Sequence, residues 1–317
     1  MQKKIKLGII GAGKIASVIS NALLEEPMIE LFAVASTSIE RAEEFKERFH
    51  FRKAFGNYES MIQDEEVDLV YIATPHSHHY QHMLLCLNHN KAIICEKAFC
   101  LKSEDAKHIF SLSAQKGVFV MEALVPAFLP STSLINEILD TNIIGDVKEV
   151  YACFGADLRH VERVVKKELG GGAMYDIGIY PLFFFLNHFG FDSKVIDKKV
   201  VYQQDVDVEV QITLKSSTNI IGKIETTIEK NSGLFGQITG AKGIIYIENI
   251  ARPEWIEIRD LDGIVVKRYG QLRTTTGYEY EFQGAARSIM NHQIETKEIP
   301  HSHSIALLQM IEDIIRK

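Results

Sequence analysis

The chain has 317 residues, of which 46% are hydrophobic, and its formal net charge is −7. A length of this kind predicts two domains at roughly 150 residues each, and the acidic balance argues against non-specific nucleic-acid binding, which needs a basic surface. No uncharged apolar run approaches the roughly 20 residues of a membrane-spanning helix, so neither nucleic acid nor membrane is expected as a partner.

Cysteine usage indicates a reducing compartment. No CxxC pair occurs among the four cysteines, Cys86, Cys95, Cys100 and Cys153. So few thiols at this length are typical of reduced cysteines and not of a disulfide framework. The first apolar run passes directly into the segment GAGK without a separate cleavage region, unlike a signal peptide. We therefore expect a cytoplasmic protein.

Strand-like and helix-like segments alternate over residues 1–120. The runs KIKLGII, ELFAVAS, VDLVYIAT, KAIICEK and VFVMEA are typical of buried strands, and segments between them, such as KIASVISNALLEE and SIERAEEFKERF, have helical apolar spacing. Ser38 is in position to cap the second of these helices. The alternation predicts βαβ units and a parallel sheet, and hence an N-terminal doubly wound domain over residues 1–120.

The loop after the first strand carries a dinucleotide-binding pattern. Residues 11–16 read GAGKIA, a form of the GxGxxG/A fingerprint. Gly11 permits a tight turn, and Gly13 lets the backbone approach a pyrophosphate. Lys14 and Ile15 begin the following helix, whose free N–H groups and positive dipole end face the phosphates. The pattern predicts dinucleotide binding at these four residues.

The residues after the second strand bear on which dinucleotide is bound. The fingerprint expects an acidic residue there for the ribose 2′-hydroxyl, but the chain has Ser36, Thr37 and Ser38, followed by Arg41. Without a carboxylate, a 2′-phosphate is not repelled, and hydroxyls and an arginine can bind it. NADP is therefore preferred, and NAD stays open because Glu40 lies nearby.

From about residue 145 the pattern changes to strands separated by short turns. Several segments alternate apolar and polar residues, as in VDVEVQITL, which predicts a mostly antiparallel sheet with one apolar face. Two helices follow, YEYEFQGAARSIMNHQI and HSIALLQMIEDIIRK, and the last is expected to pack back on the first domain. The predicted fold is thus α/β: an N-terminal Rossmann domain, then an α+β domain with a large open sheet over residues 121–317, for substrate binding and oligomerisation.

A run of three glycines, Gly170 to Gly172, precedes Asp176 and Tyr180. If this stretch is helical, the two side chains share one face, because residues four apart are neighbours on a helix. One interpretation is a loop that leads into a core helix. The other is a ligand site, in which glycine lets a ligand come close to the backbone.

Five segments occur in an order that resembles the Gfo/Idh/MocA oxidoreductase family over nearly the whole chain: GIIGAGKIA, YIATPHSHH, CEKAF, GGGAMYDIG and TGAKG. Tyr180, where many sugar dehydrogenases of the family have His, resembles the branch of dimeric dihydrodiol dehydrogenase and glucose-fructose oxidoreductase. The chain departs from the family at His76, where Asn is usual, and at Ala98, where Pro is usual. Val125 and Pro126 lie where the dihydrodiol enzymes tend to have an aromatic and a small polar residue.

The resemblance implies hydride transfer between a nicotinamide cofactor and a carbinol or carbonyl carbon of a sugar, inositol or diol-like substrate. Such chemistry needs a group that takes or gives the hydroxyl proton. Tyr180 is the candidate for this role, with the Lys97 ammonium holding the substrate oxygen and favouring the phenolate. Asp176 would orient Lys97 or a substrate hydroxyl.

Further residues are expected to line the cofactor and substrate sites. The resemblance places the following residues beside the cofactor: Thr74, Pro75, His76, His79, Glu96 and Lys97. Arg159 and Arg163, just ahead of the glycine run, are candidates for substrate binding, and the alternative is a solvated helix start.

Four histidines within residues 76–82 raise the question of a metal site. His78 and His82 are four apart and could bind a metal from one helix face. The cluster, however, follows the third strand at the edge of the expected cofactor crevice, and the family's histidine that matches His79 is not a metal ligand. We therefore expect no metal.

Two other functions remain open. A non-catalytic, nucleotide-binding regulator of the same fold would be expected to lose Lys97 or Tyr180, and both are present. A reductase of an imine or another reducible group is not distinguished by the sequence. In each case we expect a homodimer or higher homo-oligomer through the C-terminal sheet, because a large exposed apolar face is a liability.

Overall fold

The computed structural model describes residues 4–273 and 275–316. Among these residues, 4–124 and 275–305 form one unit, and 125–273 and 306–316 form a second. The chain thus returns to its first unit after the large sheet of the second, whereas the sequence analysis assigned all of residues 121–317 to one domain.

The first unit contains a six-stranded parallel sheet in the order β3-β2-β1-β4-β5-β6. This confirms the predicted doubly wound sheet. Its strands are β1 Ile5–Ile10, β2 Ile29–Ala35, β3 Lys53–Phe55, β4 Leu69–Ile72, β5 Ala92–Glu96 and β6 Val120–Ala123. The strand order reverses between β1 and β4, and in open α/β sheets ligands bind beyond the carboxyl ends of the strands at such a point.

The helices that connect these strands start and stop at recognisable residues. Ser38 caps α2 by accepting a hydrogen bond from the Arg41 N–H, as the sequence predicts, and Gly117 ends α5 in the left-handed conformation. The helices of the unit are α1 Lys14–Leu23, α2 Ile39–Phe49, α3 Tyr58–Ile62, α4 His79–Asn88, α5 Ser103–Lys116 and, after the second unit's sheet, α9 Glu279–Met290.

The second unit contains an eight-stranded sheet in the order β14-β13-β12-β11-β7-β10-β9-β8. Every neighbouring pair is antiparallel except β7 and β10. The prediction of a mostly antiparallel sheet is therefore confirmed. The strands are β7 Val147–Gly155, β8 Lys194–Gln203, β9 Val206–Lys215, β10 Ile221–Thr227, β11 Gly233–Gly240, β12 Ile244–Glu248, β13 Trp255–Arg259 and β14 Val265–Gly270.

One apolar helix covers one face of this sheet. Helix α8, Ile179–Phe189, packs on β7 and β10, and Gly222 and Gly236 leave room for its Phe185 and Phe184 rings. The stretch Lys167–Phe189 is long and apolar enough to cross a membrane, but 83% of its most apolar window is buried inside the protein, as in a core helix. The other helices are α6 Pro130–Asp140, α7 Glu162–Val165 and α10 His301–Ile315.

Candidate functional site

The glycine loop after β1 has the geometry of a phosphate cradle. Gly11 has φ +97°, and a Cβ atom there would lie 2.9 Å from the Ala73 carbonyl oxygen, so the loop passes close to the end of β4. Gly13 precedes α1, and a Cβ atom on it would meet no heavy atom within 4 Å. Open space beside free N–H groups at a helix start suits a pyrophosphate.

Lys14 and Ile15 form the first positions of α1. The Lys14 side chain is exposed, and Ile15 is half-buried. Ala16 is fully buried, which agrees with the close helix packing that the third fingerprint position provides.

Arg41 reaches back to this loop from α2. Its Nη2 donates to the Ala12 carbonyl oxygen at 3.4 Å, which brings a guanidinium from the predicted ribose-binding segment to the glycine loop. Ser38 is already engaged, because its Oγ caps α2 and donates to Glu40 at 2.5 Å. That hydrogen bond lowers the pKa of Glu40. Ser36 is buried, and Thr37 is exposed.

His79 joins the two turns that follow β4 and β5. It is fully buried, with Nε2 2.8 Å from the Thr74 carbonyl oxygen and Nδ1 2.9 Å from the Ala98 carbonyl oxygen. Burial lowers the pKa of His79 to about 4. His79 therefore fixes the two turns relative to each other.

The other residues predicted after β4 lie beside His79. Pro75 precedes the turn, His76 is buried with its ring 5.6 Å from that of His79, and Thr74 Oγ1 lies 2.9 Å from His82 Nδ1. Within residues 4–273 and 275–316, no group of three or more histidine, cysteine or acidic side chains is arranged to hold a metal ion.

Glu96 and Lys97 lie at the end of β5. The Tyr71 hydroxyl donates to Glu96 Oε1, and burial, together with the Glu96 charge, raises the pKa of Tyr71 well above its ordinary value. Lys97 follows in a half-buried position. The structure thus places the glycine loop, the histidine turn and the Glu96–Lys97 turn at the carboxyl ends of neighbouring strands, β1, β4 and β5.

In the second unit, neighbouring atoms of the same chain leave no room for a side chain at Gly171 or Gly172. A Cβ atom on Gly171 would lie 2.5 Å from the Val164 carbonyl oxygen, and one on Gly172, at φ +138°, would lie 2.2 Å from Asp207 Oδ1. The glycines therefore allow the backbone to pass tightly against its own neighbours.

Asp207, on β9, binds the start of the helical stretch that the glycines precede. It is 3% exposed, and its Oδ2 accepts a hydrogen bond from the Met174 N–H at 2.8 Å. Burial raises the pKa of Asp207 to about 6. Asp207 was not among the predicted site residues, since the alternation in VDVEV gives no sign that its aspartate reaches a helix 33 residues earlier in the chain.

Asp176 and Tyr180 lie in one continuous helical stretch. Its first part, Met174–Gly178, is a π-helical turn, and such turns are frequent at functional sites. Asp176 is buried, and Arg163 Nη1 donates to its Oδ1 at 2.7 Å. Tyr180 is half-buried, with its ring 5.8 Å from that of Phe154, a residue that the sequence analysis did not single out.

The two candidate substrate-binding arginines have different partners. Arg163 is brought to Asp176, whereas Arg159 forms a bidentate pair with Asp157, at 2.9 Å from Nε and 2.6 Å from Nη2. This pair is exposed, and the arginine lowers the pKa of Asp157 to about 2. The structure therefore joins Arg163, and not Arg159, to the helix that carries Tyr180.

Two family models match this chain. Residues 5–124 match the Gfo/Idh/MocA oxidoreductase family with an NAD-binding Rossmann fold, and residues 133–246 match a Gfo/Idh/MocA C-terminal domain. The trans-1,2-dihydrobenzene-1,2-diol dehydrogenase of Mus musculus is 32% identical, over 78% of this chain and 76% of the mouse protein. The Danio rerio enzyme of the same name is 30% identical, over 99% of this chain and 96% of the fish protein.

Solved structures share the fold. A 3-ketoreductase from Actinomadura kijaniata, in complex with NADP and TDP-benzene, has a TM-score of 0.91 at 21% identity, covering 98% of this chain and 97% of that one. A levoglucosan dehydrogenase in complex with NADH and levoglucosan has a TM-score of 0.86 at 18% identity, covering 99% and 96%. At these identities the likeness shows the fold alone.

Proposed function

The chain belongs to the Gfo/Idh/MocA oxidoreductase family and is an NAD(P)-dependent dehydrogenase or reductase; we propose that its substrate is a vicinal diol, sugar or related polyol, or the corresponding ketone. The observation that carries the proposal is the combination of a dinucleotide cradle at Gly11 and Gly13 with the buried, arginine-paired Asp176 on the helix of Tyr180.

The residues around the glycine loop fit a nicotinamide dinucleotide. Gly13 leaves open space at the start of α1, and the N–H groups there suit the pyrophosphate. Glu96, His76 and Thr74, at the ends of β5 and β4, are proposed to line the nicotinamide side. The bound cofactor supplies or accepts the hydride.

We propose that the cofactor is NADP. Arg41 lies against the Ala12 carbonyl, and no acidic side chain occupies the position directly after β2 where NAD-specific fingerprints have one. A guanidinium can bind a 2′-phosphate with two hydrogen bonds. The A. kijaniata ketoreductase was solved with NADP and the levoglucosan dehydrogenase with NADH, so the fold accommodates both.

Tyr180 is proposed as the acid/base and Lys97 as its cationic partner at the substrate oxygen. A phenol titrates near pH 10 in water and serves poorly as a base at neutral pH unless a cation favours its anion. Lys97 supplies an ammonium group for this purpose. Asp176, held by Arg163, is proposed to orient a substrate hydroxyl.

The substrate class follows from the relatives and from one departure. The curated relatives are named for trans-1,2-dihydrobenzene-1,2-diol. This chain has Val125, which is buried, at a position where an aromatic residue would provide an aromatic wall. A more polar diol or a sugar is therefore favoured over an aromatic dihydrodiol.

The test is a screen of vicinal diols, sugars, inositols and their ketones with NADPH and NADH, followed by the nicotinamide absorbance. Turnover with at least one polyol or ketone, faster with the phosphorylated cofactor, supports the proposal. Turnover of imines alone, or none with any member while NADPH binds, contradicts it.

We further propose a homo-oligomer through the sheet of the second unit. Gly236 faces Phe184 of α8, so its neighbour Phe235 lies on the opposite sheet face. That face carries an aromatic ladder, Tyr151, Phe235, Tyr246 and Trp255, with successive ring centroids 5.6, 5.6 and 6.2 Å apart. All four rings are half-buried, and a patch of this kind is typical of an interface.

A further inference from the structure

Glu122, on β6, is a buried carboxyl beside the turn that carries Lys97. It is 1% exposed and pairs in register with Cys95 of β5, two residues before Lys97. Its Oε1 accepts a hydrogen bond from the Phe99 N–H at 3.2 Å, and the Ser304 hydroxyl faces the carboxyl from α10. A carboxyl that is buried this completely costs stability, so its presence calls for an explanation.

We propose that Glu122 is a positioning residue for Lys97. It fixes the Glu96–Phe99 turn through the Phe99 N–H, and its negative charge, when present, stabilises the Lys97 ammonium. The inference rests on the role proposed for Lys97 in turnover, but the contacts that carry it lie within the first unit.

The charge on Glu122 changes in the neutral range. Burial raises the pKa of Glu122 to about 7. The Ser304 hydroxyl, the Phe99 N–H and the Lys97 charge act to lower this pKa, and the Glu96 charge acts to raise it. Glu122 is therefore neutral well below pH 7 and negative well above it. The electrostatic field at the Lys97 ammonium group therefore changes over the same pH range.

The groups that face Glu122 come from three elements. The strand β5 contributes Cys95 and Glu96, the turn after it contributes Lys97 and Cys100, and α10 contributes Ser304. Burial raises the pKa of both thiols far above neutrality, so they stay uncharged. His301, at the start of α10, lies 2.9 Å from the carbonyl oxygen of Val120 through its Nε2. Glu96 and Lys97 are thus the charged neighbours of Glu122.

The test measures the reactivity of Lys97 directly. Wild type and Glu122→Gln are labelled with a trace of acetic anhydride between about pH 6 and pH 9, and acetylation of Lys97 is quantified by peptide mass spectrometry. The amide keeps an oxygen for the Phe99 N–H and carries no charge at any pH in this range. Glu26→Gln is the matched control, because Glu26 is also buried and accepts from a backbone N–H, that of Met28, at 3.2 Å.

Near pH 6 the carboxyl is neutral in the wild type, so Lys97 should react at the same rate in both proteins. Above about pH 8, Glu122→Gln should label Lys97 several-fold faster than the wild type, because the wild-type carboxylate then stabilises the unreactive ammonium form. A ratio of one at every pH overturns the inference. A ratio raised equally at every pH also overturns it, since that is the result of a loosened turn.

Turnover provides the second readout. The pH profile of kcat should show a step near pH 7 that is flattened in Glu122→Gln, while the Kd for NADPH changes less than about twofold. An unchanged step contradicts the inference. If Lys97→Met retains full turnover, the proposed role of Lys97 fails, and the labelling experiment still decides whether Glu122 controls the Lys97 charge.

Discussion

Arg163 and Asp176 form an ion pair in which the two partners differ sharply in exposure. The Arg163 Nη1 donates to Asp176 Oδ1 at 2.7 Å, with the side chains 46% and 5% exposed. The carboxylate is thus desolvated by the protein, and its compensating charge is half in solvent. Removing the arginine takes a cationic partner from a buried carboxylate, whereas removing the carboxylate charge leaves an arginine that water can reach.

The two halves of this pair should therefore respond differently to substitution. Arg163→Met is expected to lower kcat/KM by about 10- to 100-fold, and Asp176→Asn by less, because the amide needs no counter-ion. The double variant should lose less than the sum of the single losses in free energy, as contacting residues do. Steady-state kinetics on the four proteins measures this, and strict additivity would show that the pair does not act as a unit.

Tyr180→Phe keeps the ring against Phe154 and removes only the hydroxyl. If Tyr180 is the acid/base, kcat should fall by about 10²- to 10⁴-fold while NADPH binding is retained. Lys97→Met should also lower kcat strongly. The losses of activation free energy in the two variants should not add in the double variant, since Lys97 acts partly through Tyr180. Near-full activity of Tyr180→Phe on the true substrate would refute the assignment.

Arg41→Ala tests the cofactor preference. If the guanidinium binds the 2′-phosphate, the variant should weaken NADPH binding by roughly 1.5–3 kcal/mol, as expected for a charged hydrogen bond, and leave NADH binding nearly unchanged. Fluorescence titration of both cofactors measures the two affinities. Arg52→Ala, which alters an exposed arginine paired with Glu30, is the control. Equal losses for NADH and NADPH would count against the phosphate contact.

Asp207 should make stability depend on pH in a particular direction. The pKa of Asp207 is raised from 3.8 to about 6 by burial, so the folded state binds its proton more tightly than the unfolded state does. The resulting stabilisation is fully present below pH 3.8 and is lost as the pH rises through 6. Relative to Asp207→Asn, the wild type should thus lose on the order of 2 kcal/mol of unfolding free energy between about pH 4 and pH 7. Urea unfolding of both proteins at several pH values measures this difference. A difference in unfolding free energy that stays constant across that range would argue against the prediction.

The aromatic ladder predicts an oligomer that a single substitution can dissociate. Phe235→Ser should shift the protein towards a species of 35.9 kDa, whereas Leu24→Ser, at a helix end with the side chain 50% exposed, should leave the mass unchanged. Light scattering at micromolar concentration distinguishes these outcomes. A wild-type protein that is already monomeric at this concentration would contradict the proposed oligomer.

The parts of the fold that were predictable depend on local patterns. Strand β1 and the GAGKIA loop are adjacent in sequence, and Ser38 caps the helix that begins beside it, so pattern and geometry agree. The strand β3, the helix α3 and the helix α6 were not predicted. With three and five residues, β3 and α3 are too short to show a repeating pattern.

The parts of the site that were not predictable depend on distant pairs. Glu122 and Asp207 each act on a backbone N–H in another element, 23 and 33 residues away in the chain. No local pattern marks either as a partner. The same limit explains Arg159 and Arg163, which look equivalent in sequence and are separated only by which carboxylate the fold brings near each of them.

The path of the chain between its two units has a practical consequence for protein engineering. The backbone passes from one unit to the other after residue 124, again between 273 and 275, and once more after residue 305. Neither unit is therefore encoded by one uninterrupted stretch of the gene. Exchanging the sheet unit for that of a relative would require two grafts made together, residues 125–273 and 306–316, and a single-crossover chimera would leave one unit assembled from two different parents.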